Sequence, residues 1–483
     1  MTAENRHDII LRTWFLRRVS SRAFITLAAR KETHVAKRYS RRTQGPARVF
    51  LLWSRGSIGN MDHWHIVLGV REEWGRETPF VLSPRDRRHH LYAIGKSGTG
   101  KTTLLRNLIL QDIAAGHGVG VIDPHGDLAN DILDHIPRNR IEDVAYFNPA
   151  DMEFPVGFNL LGCTPPEERH LVASGIVSAF KAIWPDFWGP RLEYILYAAV
   201  AALLDCDNVS LLGVQRMLSD GRYRAWVVKQ IKDPMVRSFW VNEFENYDKK
   251  FLHEAVAPIQ NKVGQLLMSP HVRNILGQVR SRIDARFMMD NGRIFIADVS
   301  KGKLGADKSN LMGAFLVTQF QLAAMSRADV PEAERRDFFL YVDEFQSFAS
   351  DTFVSILSEA RKYRLCLTLS HQYIDQLRPE IRDAVFGNVG SIVAFRVGQR
   401  DAELLEREFG GAYPARRFVD LHNHEICIKI LNNGEHGDPF VARTLAPWGN
   451  RHNHREKIVR RSREKYGAPR KIVEDRIRRW LRK

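Results

Sequence analysis

Short apolar runs bounded by glycine, proline or charge recur along the chain, at 65–70, 80–82, 90–94 and 118–122. Runs of this length predict strands. Between the last two, residues 102–115 repeat apolar positions at helical spacing. Strand, helix and strand with short links open a parallel α/β sheet. From about 165 to 282 the pattern changes: 171–183, 192–204 and 211–218 carry helical periodicity, and strand-like runs are scarce. A further helix is expected over 259–268, with Pro258 suited to its first turn. Strand-like runs return at 293–299, 338–342, 365–369 and 391–396. A last pair, 425–431 and 439–443, precedes a polar tail in which Pro469 divides two helices. The economical reading is one α/β domain interrupted by an all-α insertion. Its parts are a basic arm over 1–60, sheet domain over 61–164, insertion over 165–290, sheet domain again over 291–446 and a basic tail over 447–483.

The sharpest motif lies at a strand–helix junction. Residues 95–102 read GKSGTGKT, which satisfies G-x-x-x-x-G-K-[ST] at every fixed position. Gly95, Gly98 and Gly100 let the loop turn its N–H groups inward onto phosphate oxygens. Lys96, Ser97, Thr99 and Thr103 complete the stretch expected to cradle a nucleotide. Lys101 supplies a mobile positive charge for the β- and γ-phosphates, and Thr102 a hydroxyl for Mg2+. The helix that starts here turns the positive end of its dipole to the anion. A glycine-rich turn can be merely structural, but this one follows a predicted strand and opens a predicted helix, the context that marks an ATP site.

A second element should hold the metal and activate water. Residues 338–344 read FFLYVDE, five apolar residues running into two carboxylates. Asp343 is expected to hold Mg2+ through its water shell, and Glu344 to polarise the attacking water. The bland alternative is an acidic strand end facing solvent. Lys101 and Asp343 stand 242 residues apart, far more than a compact core needs, so the gap independently demands an insertion.

The strand at 365–369 ends in Ser370-His371-Gln372. Groups at the carboxyl ends of parallel strands face the ligand crevice, so Gln372 is expected to sense the γ-phosphate, with His371 as a neighbour. Arg361 stands before the same strand, which at ~3.3 Å per residue puts it roughly 20 Å from its own ATP. It is either a surface arginine on a charged helix or an arginine finger reaching an adjacent subunit, and the finger requires a ring.

Composition narrows the class. Hydrophobic residues make up 44% and charged residues 27%, ordinary for a soluble globular protein. The four cysteines, Cys163, Cys206, Cys366 and Cys427, form no CxxC pair, which favours reduced thiols in the cytoplasm over a disulfide framework or zinc site. No run reaches the ~20 apolar residues of a membrane-spanning helix. The nearest, 9–29, is broken by Arg12, Arg17, Arg18 and Arg22. The net charge of +16 is uneven: 1–50 carries 12 Lys/Arg against 3 Asp/Glu, and 451–483 carries 14 against 4. Basic ends on a near-neutral body suggest a grip on a polyanion, either nucleic acid or an anionic membrane surface.

With these residues assembled, the chain resembles the TraD/TraG-type conjugative (type IV secretion) DNA-coupling ATPases and their HerA/FtsK-like relatives. The likeness is carried by HLYAIGKSGTGKTTLL from His90, GVGVIDPHGDL from Gly118 and PVGFNLL from Pro155. It continues in FFLYVDEFQSF from Phe338, SEARKYRLCLTLSHQY from Ser358 and FGNVGSIVAFRVG from Phe386. The resemblance implies a RecA-like P-loop motor domain with an inserted helical domain, ATP and Mg2+ as cofactors, and a hexameric ring of identical subunits around DNA. It implies relaxosome or secretion-channel components as further partners. By position, it makes Lys101 and Thr102 the phosphate-loop pair, Asp343 and Glu344 the second acidic motif, Arg361 the arginine donated in trans and Gln372 the sensor. One departure stands out: anchored members begin with transmembrane helices, and none is read here, so a cytoplasmic relative, or one docked on a membrane by its basic arm, is expected. The leading expectation is an ATP-driven DNA translocase that binds DNA without sequence preference. A HerA-like helicase in DNA processing and a nucleotide-controlled adaptor with little turnover are the alternatives.

Overall fold

The computed structural model describes residues 65–162 and 165–482. The basic arm expected over 1–60 lies outside them. Eleven strands form one sheet in the order β2-β1-β13-β10-β9-β3-β8-β7-β4-β6-β5. The strands are β1 (Ile66–Glu73), β2 (Arg76–Leu82), β3 (Leu91–Ile94), β4 (Gly118–Asp123), β5 (Val144–Phe147), β6 (Ile294–Asp298) and β7 (Phe338–Val342). After them come β8 (Leu365–His371), β9 (Ser391–Ala394), β10 (Glu425–Lys429) and β13 (Phe440–Thr444), while β11 (Leu431–Asn432) and β12 (Glu435–His436) form a separate small ribbon. From β9 to β5 every pairing is parallel, and β10, β13, β1 and β2 extend the sheet antiparallel. The parallel strands other than β5 are buried along their whole length, as expected for a sheet covered on both faces. That continuous hydrophobicity is why they read clearly in the sequence. β5 did not, because VAYF is short and Tyr146 is only partly buried.

Helix α1 (Lys101–Ala115) follows β3, and α2 (Asp127–His135) follows β4. Among the described residues between β5 and β6 every regular element is helical, led by α3 (Arg169–Ile183), α4 (Pro190–Leu204), α5 (Leu212–Ser219) and α6 (Lys249–Met268). Pro258 does not start a helix as the sequence suggested; it sits in the interior of α6, which Asp248 caps by accepting from the Phe251 N–H at 2.9 Å. Pro258 removes one main-chain bond. It lies on the exposed side of α6, however, as does Glu254, whose carbonyl loses that bond, while Val256, Ile259 and Val263 keep the apolar face continuous. The insertion packs on α7 (Ala306–Met325): Phe180 meets Phe315 edge to face at 5.5 Å. A Cβ at Gly175 would come within 2.6 Å of Thr318, so that contact needs glycine.

The chain then runs through α8 (Asp351–Glu359) and, past β13, into the two helices expected on either side of Pro469, α9 (Arg455–Tyr466) and α10 (Arg470–Arg482). Both are docked. Ser462 Oγ accepts from Tyr146 N–H at 2.9 Å and donates to Tyr146 O at 3.1 Å, covering edge strand β5. Asp134 takes Arg451 and Arg455, each at 2.8 Å. Helix α10 buries Val473 and Ile477 and reaches the insertion, where Trp480 Nε1 donates to Asn208 O at 3.1 Å. No helix among the described residues is long and apolar enough to cross a membrane.

Candidate active site at the carboxyl edge of the sheet

The loop 95–100 joins β3 to α1 with Gly98 at φ 76° and Gly100 at φ 118°, left-handed values that side chains resist. At Gly100 a Cβ would also stand 2.7 Å from His424 Nδ1. Main-chain bonds pin the loop to three neighbours: Gly95 N–H to His371 O at 3.3 Å, Lys96 N–H to Arg396 O at 2.8 Å, and His424 N–H to Thr99 O at 2.9 Å. Lys96 and Ser97 are exposed, Thr99 is buried with its hydroxyl on Lys96 O at 2.7 Å, and Thr102 and Thr103 open α1. Lys101 is buried and donates to Gly95 O at 2.5 Å and Lys96 O at 3.2 Å. Burial lowers its proton affinity, and Glu344 and Asp343 oppose that shift, so all three share one crevice.

The acidic pair closes β7, next to β4 and β8. Asp343 is buried, and its pKa is raised to about 6 by desolvation and then by the charges of Asp123 and Glu344. Asp123 ends β4, with its carboxylate on the N–H groups of His125 (2.8 Å) and Ala129 (2.9 Å). Glu344 is 7% exposed, and both its oxygens are held: Oε1 accepts from Gln372 Nε2 at 2.9 Å and Oε2 from Gln346 Nε2 at 2.6 Å. Facing carboxylates, with Asp123 and Glu344 both raising the pKa of Asp343, suit a divalent cation. No group of three or more His, Cys, Asp or Glu side chains with metal-cage geometry exists among the described residues. Mg2+ takes one or two protein ligands and fills its octahedron with phosphate oxygens and water.

Of the expected site residues, Lys101, Asp343, Glu344 and Gln372 therefore converge, with Thr102 at the mouth. Arg361 does not join them. It lies exposed on the turn before β8 and meets His89 Nδ1 at 3.3 Å. Seven strand residues separate that turn from Gln372, roughly 23 Å at ~3.3 Å each. His371 turns inward: its ring is buried against Tyr92 OH (3.1 Å) and Phe345, and burial lowers its pKa to about 3. It is a core histidine. Reading the sequence missed three groups at the site, Asp123, Gln346 and Lys301. Asp123 carried the same signal as Asp343, an acid ending an apolar run, whereas Lys301 carried none.

No family model matches the sequence, and no curated protein matches it. Solved structures do. The plasmid coupling protein TrwB in complex with the non-hydrolysable ATP analogue ADPNP aligns with a TM-score of 0.58 at 17% identity, covering 81% of this chain and 97% of that one. The chain has the TrwB fold. TrwB in complex with ADP and Mg2+ gives 0.55 at 15% identity, over 82% and 98%. VirB4 of Thermoanaerobacter pseudethanolicus gives 0.53 at 14%, over 79% and 96%. The resemblance expected from the motifs to coupling ATPases is thus borne out as a likeness of fold. The TrwB fold also accounts for a mostly parallel sheet whose carboxyl edge carries the glycine loop.

Proposed function

We propose that this chain is a Mg2+-dependent ATPase of the conjugation and type IV secretion class that moves DNA as a ring of identical subunits, with six as the expected number. The observation that carries the reading is the Glu344 carboxylate, buried beside Lys101 and oriented by two amides, Gln346 and Gln372. A general base for water needs this combination of fixed direction and a nearby phosphate-binding cation. Lys101 neutralises the β- and γ-phosphates, Thr102 and Asp343 hold Mg2+, Glu344 takes the proton of the attacking water, and Gln372 reads the γ-phosphate. Mg2+, when bound, supplies charge stabilisation on the transferring phosphoryl group. The TrwB structures with ADPNP and with ADP and Mg2+ support the choice of nucleotide and ion.

The docked tail supports DNA over a membrane as the polyanion. Ile458, Tyr466, Val473 and Ile477 of α9 and α10 pack on the body, and the apolar side chains left exposed, Ile472 and Leu481, make a narrower apolar face than a lipid-inserting helix presents. Their outward faces present Lys457, Arg460, Lys471 and Arg482, exposed side chains suited to a phosphate backbone. The test is Mg2+-dependent ATP hydrolysis with and without DNA. Glu344→Gln should keep ATP affinity and lose turnover by about 100- to 1,000-fold, and Lys101→Ala should lose nucleotide binding. Wild-type turnover by Glu344→Gln removes the base assignment, and turnover indifferent to DNA returns the chain to the adaptor class.

A further inference from the structure

Glu344 is not only buried; its backbone is left-handed, at φ 47° and ψ 48°. A non-glycine residue stays in that region only where its surroundings over-determine it. Here the turn behind it closes through Ser347 N–H to Glu344 O and Phe348 N–H to Phe345 O, both at 2.9 Å. The two glutamines fix the carboxylate. One further contact comes from a different part of the chain. Lys301, three residues beyond β6, donates from Nζ to Ser347 Oγ at 2.7 Å. Its main chain is itself anchored, by Lys301 N–H to Pro124 O at 2.8 Å, on the loop that follows Asp123. The side chain is half-buried, and the charge of Glu344 acts on its ammonium, opposing the effect of burial.

From this geometry we infer that Lys301 is a positioning residue for the catalytic glutamate: its ammonium clamps the strained 344–347 turn through Ser347 and holds Glu344 in line with the crevice. The clamp spans strands, tying the loops after β4 and β6 to the turn after β7, so the base is aligned only when all three strand ends are in register. This rests on the ATPase reading for its consequence but not for its geometry. Lys301 acts on the turn and need not touch nucleotide, so its loss should appear in turnover and not in affinity.

The experiment pairs hydrogen exchange at the amides of Ser347 and Phe348 with steady-state kinetics, on full-length Lys301→Met, Ser347→Ala, the double variant and Lys301→Arg. Expected are faster exchange at those two amides with an unchanged Tm, kcat lower by about 10- to 100-fold, and KM for ATP within about threefold of wild type. The double variant should be no worse than the worse single one, because both remove the same contact. Lys301→Arg, which can still donate to Ser347, should recover part of kcat. Unchanged exchange overturns the clamp whatever the kinetics do. Faster exchange with wild-type kcat overturns the positioning role, as does a loss confined to KM or strictly multiplicative effects in the double variant. A wild-type protein without Mg2+-ATP turnover would refute the proposed function while the exchange data still decided the clamp.

Discussion

The sheet domain and the helical insertion solve burial in opposite ways. The sheet domain buries charge: Arg87 pairs with Asp112 at 2.6 and 2.7 Å under the hydroxyl of Tyr341, and Lys101, Asp123, Asp298, Asp343 and Glu344 are all buried. Among the described residues of 165–290, the buried polar side chains are Ser210 and Asn274, and none is charged. The insertion carries most of the large apolar groups left outside, with Met235 and Met268 each 77% exposed and Phe187 67%, although Trp74 in the β1–β2 turn is exposed as well. A buried charge demands a partner at hydrogen-bond distance, so the sheet domain's interior fixes atoms to the accuracy that chemistry needs. Apolar packing fixes shape and volume and leaves freedom on the surface. Yet the two share one continuous core, so the contrast is between kinds of interaction and not between separate bodies.

The comparison breaks most visibly if the sheet domain's charged site is incomplete within one chain. Arg361→Ala should lower turnover by about 1,000-fold, the scale of a donated arginine, although Arg361 stands at the opposite edge of the sheet. Mixed with Glu344→Gln, itself inactive, it should recover partial activity that rises with protein concentration, as assembled interfaces come to hold one intact Glu344 and one intact arginine. Mixtures that stay inactive while each variant still assembles with wild type would make Arg361 a surface residue, as the sequence also allowed.

Within the insertion, Trp240 is fully buried, meets the Phe244 ring at 4.6 Å in a tilted contact and donates to Ala198 O at 3.2 Å. Trp240→Ala should cost about 3–5 kcal/mol in chemical denaturation while nucleotide affinity at the Lys101 loop stays at its wild-type value. A parallel fall in affinity would mean that the shared core makes one cooperative unit of both regions.

The smallest effect expected of any single residue is that of acid on a buried histidine. His90 and His371, both in the sheet domain, have pKa values lowered by burial to about 4 and about 3, whereas the insertion has no buried histidine among its described residues. The unfolded chain takes up these protons first, near pH 6.5. The stability the neutral rings contribute is therefore complete above about pH 6.5 and is lost as pH falls toward the folded values, by about 1.4 kcal/mol per pH unit for each histidine. Denaturation midpoints at pH 7 and pH 5 should show it, and His371→Gln should remove its share of the slope. An unchanged slope would assign the acid sensitivity to other groups.

Much of this protein is legible residue by residue. The glycine loop declares itself because its backbone angles and its lysine are local requirements met within a few positions. β3, β4, β7 and β8 do so because strands buried on both faces must be apolar throughout. The long interval between Lys101 and Asp343 announced an insertion by arithmetic alone. What sequence could not settle follows from strand order. Lys301 and Gln372 approach Glu344, and Asp123 its neighbour Asp343, only because β4, β6, β7 and β8 lie close together, and that order is set by long-range packing that leaves no periodicity to read. Tertiary structure likewise decided that Pro258 sits inside a helix, since the buried face of α6 outweighs one lost hydrogen bond. It also decided that the basic tail is folded onto the body, since a few apolar residues among many arginines find their partners only on β5 and the insertion. Sequence by itself determined the fold class and the phosphate loop, because those depend on local conformation and patterning. The alignment of the base, and the edge on which Arg361 stands, depend on which distant segments become neighbours, and only the folded chain decides that.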